Sequence, residues 1–269
     1  MTNHAIIFSK NRAAQLDLLL QSIIKNCDEL FNQITVLFKS DFSYKNGYQI
    51  LESNYPNIQF IPEVNFRNDT ISLINQDYNY TTFLVDDDVI FSKVNKKLVD
   101  IIRVMDNSIC FSLRLGLNSK YCHPADIYYE IKNETIIGDF ITFNYKEQDG
   151  DLGYPLSLDG HIFKTDDIIS IIKATNFYNP NSLEANIQKF TQNIQKPNIT
   201  SFKYSKLVGV PVNLVNETFN NRHGIEFYIS EKTLNNRFIN GERIDIDKLD
   251  FGVINGPHKE IKYEFKKTS

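Results

Sequence analysis

Four short apolar runs, residues 4–8 (HAIIF), 34–38 (ITVLF), 58–61 and 82–85, recur along the first third of the chain with helical patterns between them. After the first run, Leu16, Leu19, Leu20, Ile23 and Ile24 stand at i, i+3, i+4, i+7 and i+8, which is one face of an amphipathic helix. Tyr48, Ile50 and Leu51 suggest a second helix, stopped near Pro56 because the residue before a proline is driven out of the helical region. A third helix is expected over residues 70–76. Strand and helix alternating in this way mean βαβ units and a parallel sheet. Strands that are apolar almost throughout fit a sheet covered on both faces. The expected fold class is α/β, with a mainly parallel central sheet and helices on both sides.

The rest of the chain extends this plan. Leu98, Ile101, Ile102 and Met105 mark a helix, and residues 109–115 (ICFSLRL) read as a strand. Residues 116–160 are loop-rich with an aromatic strand at 140–143. Helices are expected from Thr165 and from near Asn181-Ser182. Residues 208–212 read as an edge strand, because Pro211 cannot donate to a ladder. Beyond residue 212 the chain is irregular apart from a helical stretch at 234–238. One domain is expected over residues 1–215, with halves at 1–115 and 116–215, and residues 216–269 as a C-terminal extension of it.

Composition sets outer bounds. The 269 residues are 42% hydrophobic and 23% charged, with a net charge of −4 and both signs mixed. That excludes a broad nucleic-acid-binding face. Three cysteines with no CxxC pair give neither a disulfide framework nor a zinc knuckle, which points to a reducing cytoplasm. The N-terminus has no signal-peptide pattern, and no apolar stretch reaches the roughly 18 residues that a membrane span needs. Residues 259–267 alternate Lys with Glu260 and Glu264 and read as a solvated amphipathic stretch. At most they make peripheral contact with an anionic membrane, at its inner face.

Asp86-Asp87-Asp88 carries the chemistry. The triplet interrupts an apolar run, with Phe83-Leu84-Val85 before it and Val89-Ile90-Phe91 after it. Carboxylates placed there must be paired, metal-bound or shifted in pKa. Alternate residues at a strand end face one side, so Asp-x-Asp can aim two carboxylates into one crevice. Hard oxygen ligands of this kind suit Mg²⁺ or Mn²⁺, and those ions suit a phosphate-bearing substrate. The plainer reading, strand-end or helix-capping Asp, accounts for one such residue better than for three.

The order strand, Ser9-Lys10-Asn11-Arg12, helix, strand ending Lys39-Ser40-Asp41, then strand ending in the Asp triplet resembles the GT-A-fold glycosyltransferases, especially bacterial family 2-like enzymes. Gly160-His161-Ile162-Phe163-Lys164-Thr165, a helix, and Ser182-Leu183-Glu184 resemble that family's acceptor-side elements. The resemblance covers residues 4 to 195. It implies a Rossmann-like single domain and transfer of a sugar from a nucleotide-diphosphate sugar, a UDP-sugar being favoured. The acceptor would be the hydroxyl of a glycan or lipid-linked glycan, in bacterial surface glycan synthesis. Two other functions compete. A sugar nucleotidyltransferase would normally carry a Gly-rich loop after the first strand, which is missing here. A non-catalytic carbohydrate-binding relative would have less reason to keep three acids in an apolar strand.

The resemblance assigns roles residue by residue. Ser9, Asn11, Arg12, Asp41, Arg67, Asp86 and Asp87 would bind the nucleotide-sugar. Asp88 would hold the metal, with Asp86 on the ribose or through water and His258 as a further ligand. Glu184 would be the general base of an inverting transfer, with Asp159 as its rival. Plainer readings stand beside these. Asn11-Arg12 and Asp41 suit polar turns, Arg67 and His258 suit the surface, and His161 suits a satisfied core position. Glu184 falls three residues after Asn181, as in a capping box. The family's usual Glu-Asp pair appears here as Leu183-Glu184, so a retaining enzyme stays open.

Overall fold

A computed structural model describes residues 1–268 except 28, 75, 76, 217 and 219–221. The N-terminal half runs β1 (Asn3–Lys10), α1 (Ala13–Asn26), β2 (Gln33–Lys39), α2 (Lys45–Asn54), β3 (Gln59–Pro62), α3 (Phe66–Ile74) and β4 (Tyr80–Val85). Then come β5 (Asp88–Ile90), α4 (Leu98–Arg103), β6 (Ser108–Ser112), β7 (Tyr121–Cys122), β8 (Ile127–Tyr128), β9 (Thr135–Ile137) and β10 (Phe140–Asn144). The remainder is β11 (His161–Lys164), α5 (Thr165–Lys173), α6 (Pro180–Ile187), β12 (Asn198–Phe202), β13 (Leu207–Gly209), α7 (Glu231–Ile239), β14 (Glu242–Ile244) and β15 (Phe265–Lys267). The third helix was expected to reach Gln76, which lies outside the described residues.

Among the described residues nine strands form the central sheet, in the order β3-β2-β1-β4-β11-β6-β12-β10-β9. The first four are parallel throughout, as the βαβ rhythm requires. Past β4 the sheet is mixed: β11 enters antiparallel to both β4 and β6, whereas β6 and β12 pair parallel. Apolar clusters cover both faces. Leu16, Leu19, Leu20 and Ile23 of α1 pack on one with Ala5, Ile7 and Leu84. Ile6, Phe8 and Phe83 point to the other and meet Phe66, Phe163 and Ile168. Alternation along β1 thus feeds both cores.

The C-terminal residues are more ordered than the sequence suggested. β14 and β15 pair antiparallel, and α7 packs on α1 and α2. Arg243 ion-pairs with Asp17 of α1, a carboxylate with no exposure, and Tyr55 donates to the same Asp17 oxygen at 2.8 Å. Residues 259–267 are amphipathic as expected, with Lys262, Glu264 and Lys267 exposed, but one side of the stretch is buried. Glu260 is buried and accepts from the backbone N–H groups of Ile225, Glu226 and Phe227, at 2.6–2.9 Å, while Ile261 and Tyr263 join the core. The expected strand at 208–212 is shorter and ends before Pro211. Helix α6 begins at Pro180, one residue before the Asn181 start: Asn179 is its N-cap and Ser182 its third residue, each capping the other. Glu184 therefore takes no part in a capping box. Among the described residues no helix is long and apolar enough to cross a membrane.

Candidate active site

The carboxyl ends of the parallel strands open into a crevice of about 920 Å³, as expected for an open α/β sheet. Ser9, Arg12, Asp86, Asp87, Asp88, Asp159, Glu184 and His258 line it together. Three other candidates do not. Asn11 and Asp41 are absorbed in each other: the Asn11 amide donates to Asp41 Oδ2 at 2.7 Å, and Asp41 N–H donates to Asn11 Oδ1 at 2.9 Å. This pair ties the β1–α1 turn to the β2 turn, with Asn11 at φ +57°, a conformation asparagine tolerates well. Arg67 points away, donating to the carbonyls of Thr175 and Lys173 at 3.1 and 2.9 Å at the end of α5.

The triplet bridges two elements. Asp86 and Asp87 form the turn after β4, a strand flanked by β1 and β11, and Asp88 begins β5. Arg12 Nη1 lies 3.0 Å from both Asp86 Oδ1 and Asp87 Oδ2, and Nη2 donates to the Asn213 carbonyl at 2.5 Å. Asp86 Oδ2 accepts from Lys10 N–H at 3.0 Å, so both oxygens of Asp86 are engaged. Burial raises the Asp86 carboxyl to about 6 against the opposing pull of Arg12. The Tyr48 hydroxyl, 2.6 Å from Ser9 Oγ, accepts from Arg12 N–H at 3.2 Å and fixes the turn from below.

Asp88 differs from its neighbours. Its Oδ2 caps Val85 N–H at 3.0 Å, while Oδ1 is buried with no hydrogen-bond partner. Burial, and then the nearby negative charge of Asp159, push its pKa well above the usual range. Across the β5–β13 pairing Asp88 is opposite Gly209, and Gly209 bridges to His258 on its other side. A Cβ on residue 209 would stand 2.7 Å from the His258 ring, so glycine is what lets the imidazole in. His258 Nε2 is 3.6 Å from Asp159 Oδ2, and its Nδ1 is buried without a partner.

Among the described residues no three His, Cys, Asp or Glu side chains are grouped to hold a metal ion by themselves. The donor set still fits a hard divalent cation of the kind that takes one or two carboxylates from the protein and the rest from substrate phosphates. Asp88 Oδ1 is the unpartnered oxygen for that purpose, and His258 is set on the far side of Gly209 from Asp88.

The side of the crevice that holds Asp159 and Glu184 is organised by Arg114, which is not among the candidates expected from the sequence. Arg114, just past β6, is buried and donates from Nη1 to Asp159 Oδ2 at 2.6 Å and Ser157 Oγ at 3.1 Å, and from Nη2 to Asp151 Oδ1 at 2.6 Å. An arginine at the end of an apolar strand is the same signal that singled out the Asp triplet. Ser157 Oγ in turn donates to Glu184 Oε1 at 2.9 Å, which also accepts from Leu158 N–H at 2.9 Å. Burial, followed by the charge of Asp159, raises Glu184 to about 7. Burial would also raise Asp159, but His258 and Arg114 outweigh it and hold that carboxyl below its ordinary value. Of these two acids, Glu184 is thus the better matched to proton transfer near neutral pH. His161 is a core residue: it has no exposure, its Nδ1 donates to the Pro155 carbonyl at 3.1 Å, and burial lowers it to about 3.

In sequence the chain is similar to a curated glycosyltransferase. It is 30% identical over 250 residues to the bifunctional glycosyltransferase pgtA of Dictyostelium discoideum, a match covering 80% of this chain and 32% of that protein. The chain therefore spans about a third of the length of this curated relative. No protein-family model matches it. Among solved structures it overlaps S. aureus TarS 1-349 in complex with UDP, at 16% identity and TM-score 0.46, over 77% of this chain and 60% of that one. The same enzyme in complex with UDP-GlcNAc overlaps at 17% identity and TM-score 0.46, over 86% and 62%.

Proposed function

We propose that the protein is a metal-assisted glycosyltransferase that moves a sugar from a nucleotide-diphosphate sugar to an acceptor hydroxyl with inversion. The observation that carries this reading is one crevice lined by both Asp88, with a buried oxygen that has no hydrogen-bond partner, and a Glu184 carboxyl raised to about 7. Arg12 balances part of the charge on Asp86 and Asp87, and the carboxylate charge that remains would still repel a diphosphate unless a cation lay between them. When bound, Mn²⁺ or Mg²⁺ would neutralise the diphosphate as it leaves. Asp88 would hold that ion from the protein side, with His258 lining the same crevice. Arg12 fixes Asp86 and Asp87, and so orients the turn the donor must pass.

Glu184 supplies the base. Its carboxylate would take the proton of the acceptor hydroxyl while that oxygen bonds to the anomeric carbon and the bond from that carbon to the diphosphate breaks. The contacts from Ser157 Oγ and Leu158 N–H occupy Oε1 and fix the carboxylate's orientation. Asp159, held ionised between Arg114 and His258, shapes the field and is a poor proton acceptor. A nucleotidyltransferase reading is less favoured, because the turn after β1 has no glycine and its Arg12 is committed to Asp86 and Asp87.

The test is turnover. Incubation with UDP- and GDP-sugars and Mn²⁺ should release nucleoside diphosphate, slowly to water and faster with a glycan acceptor, and Asp88→Asn should abolish it. Release of pyrophosphate from a nucleoside triphosphate and a sugar phosphate would instead assign nucleotidyl transfer.

A further inference from the structure

A shallow groove of about 380 Å³ continues the crevice, and Glu63, Phe66 and Tyr178 line both. On its walls Val64 is 91% exposed and Tyr178 70% exposed. Single exposed apolar residues are ordinary on protein surfaces. The backbone of both is held by side-chain hydrogen bonds at the start of a helix. Asp69 Oδ2 accepts from the N–H groups of both Val64 and Asn65 at 2.8 Å. Ser182 Oγ accepts from Tyr178 and Asn179 N–H at 2.9 and 3.0 Å. Arg67 lies over the Phe177 ring, 5.8 Å from its centroid, and bonds the carbonyls of Lys173 and Thr175. Both walls are fixed by side-chain-to-backbone bonds, while the Tyr178 ring stays in water.

We propose that this groove is a saccharide subsite, in which the faces of Tyr178 and Val64 receive one pyranose ring of the acceptor glycan. The proposal rests on the transferase reading and names its acceptor as an oligosaccharide. A pyranose presents an apolar face of C–H groups and a rim of hydroxyls. An aromatic ring matches the face at small entropic cost, having few rotatable bonds. Glu63 and Asn68 supply polar groups for the rim. A lipid chain would gain nothing from that polar rim. The placement also fits the reaction: Tyr178 immediately precedes Asn179, the cap of the helix that carries Glu184. A ring docked on Tyr178 is held by the same rigid unit as the base.

The chain has no tryptophan, so Tyr178→Trp introduces a single indole at the groove, which can be excited selectively over the tyrosines. Its emission is followed during titration with methyl pyranosides and with cello- and chito-oligosaccharides, with and without UDP and Mn²⁺. At least one saccharide should give a saturable change. Calorimetry with that saccharide should show binding that Tyr178→Phe keeps and Tyr178→Ala weakens about tenfold. The proposal is overturned if no saccharide moves the emission, or if Tyr178→Ala binds like the native protein. It is also overturned if UDP alone produces the change, which would put the ring at the donor. Self-association lost in Tyr178→Ala would assign the face to a second copy of the chain and likewise overturn it. Saccharide binding by a native protein that fails to bind UDP with Mn²⁺ would leave the subsite standing and sink the transferase reading.

Discussion

Arg114 and Asp159 meet at 2.6 Å beneath the crevice, and through Ser157 the same arginine reaches Glu184. One buried guanidinium therefore joins Asp151, Asp159 and the proposed base in a single network. Arg114→Met should destabilise the protein by about 3 kcal/mol or more, since removing one partner of a buried ion pair strands the other's charge. Denaturant unfolding at pH 7 measures this, and a loss under about 1 kcal/mol would refute it. Asp159 has its folded pKa lowered, so its stabilising share is complete above its unfolded value near 4. That share should fade as the pH falls through the lower folded value.

Glu184 yields a prediction for rate and another for stability. As a base it must be ionised, so turnover should rise with pH and level off above about 7. Glu184→Gln should lower turnover roughly a hundredfold or more and leave UDP affinity nearly unchanged, whereas Asp159→Asn should not reproduce the loss of the limb near pH 7. For stability the sign is opposite to that of Asp159. Between the unfolded value near 4.3 and the folded value of about 7, the native state binds more protons, so the wild type loses stability as the pH rises through that window. Melting temperatures of wild type and Glu184→Gln should therefore diverge between pH 5 and 8, with the variant the more stable at the upper end. Parallel curves would contradict the raised pKa.

Asp88→Asn separates binding from folding. An amide still accepts the Val85 N–H bond and removes the repulsion from Asp159, so the variant should melt at least as high as the wild type. It should also lose most of the Mn²⁺ dependence of UDP binding, because an amide is a poor ligand for a hard cation. Equal UDP affinity with Mn²⁺ and with EDTA in the wild type would remove the metal from the proposal.

Arg243→Ala tests the C-terminal residues. It would leave the fully buried Asp17 carboxylate with Tyr55 and Gln21 as its remaining side-chain partners. The expected cost is about 3 kcal/mol in denaturant unfolding, largely recovered in the double variant with Asp17→Asn. Additive losses would mean that the pair does not couple the C-terminus to α1.

Local sequence was enough for the α/β class, the parallel order of the first four strands and the position of the Asp triplet at a strand's carboxyl end. Those features depend on periodicity and on charge set in an apolar run, and both are visible within a few residues. Local sequence could not decide which polar residues share the crevice. Asn11 and Asp41 were as eligible as Arg12, and Arg67 less so; tertiary packing gave the first two to each other and Arg67 to the end of α5. Glu184 read equally well as a cap, until the choice of Asn179 for that role freed it. The bonds from Arg114 to Asp151 and Asp159, the insertion of β11 beside β4, and the burial of Glu260 under residues 225–227 all join segments far apart in the chain. Such contacts, and the pKa values that depend on them, are set by long-range burial and by which charge ends beside which, so they were fixed by folding alone.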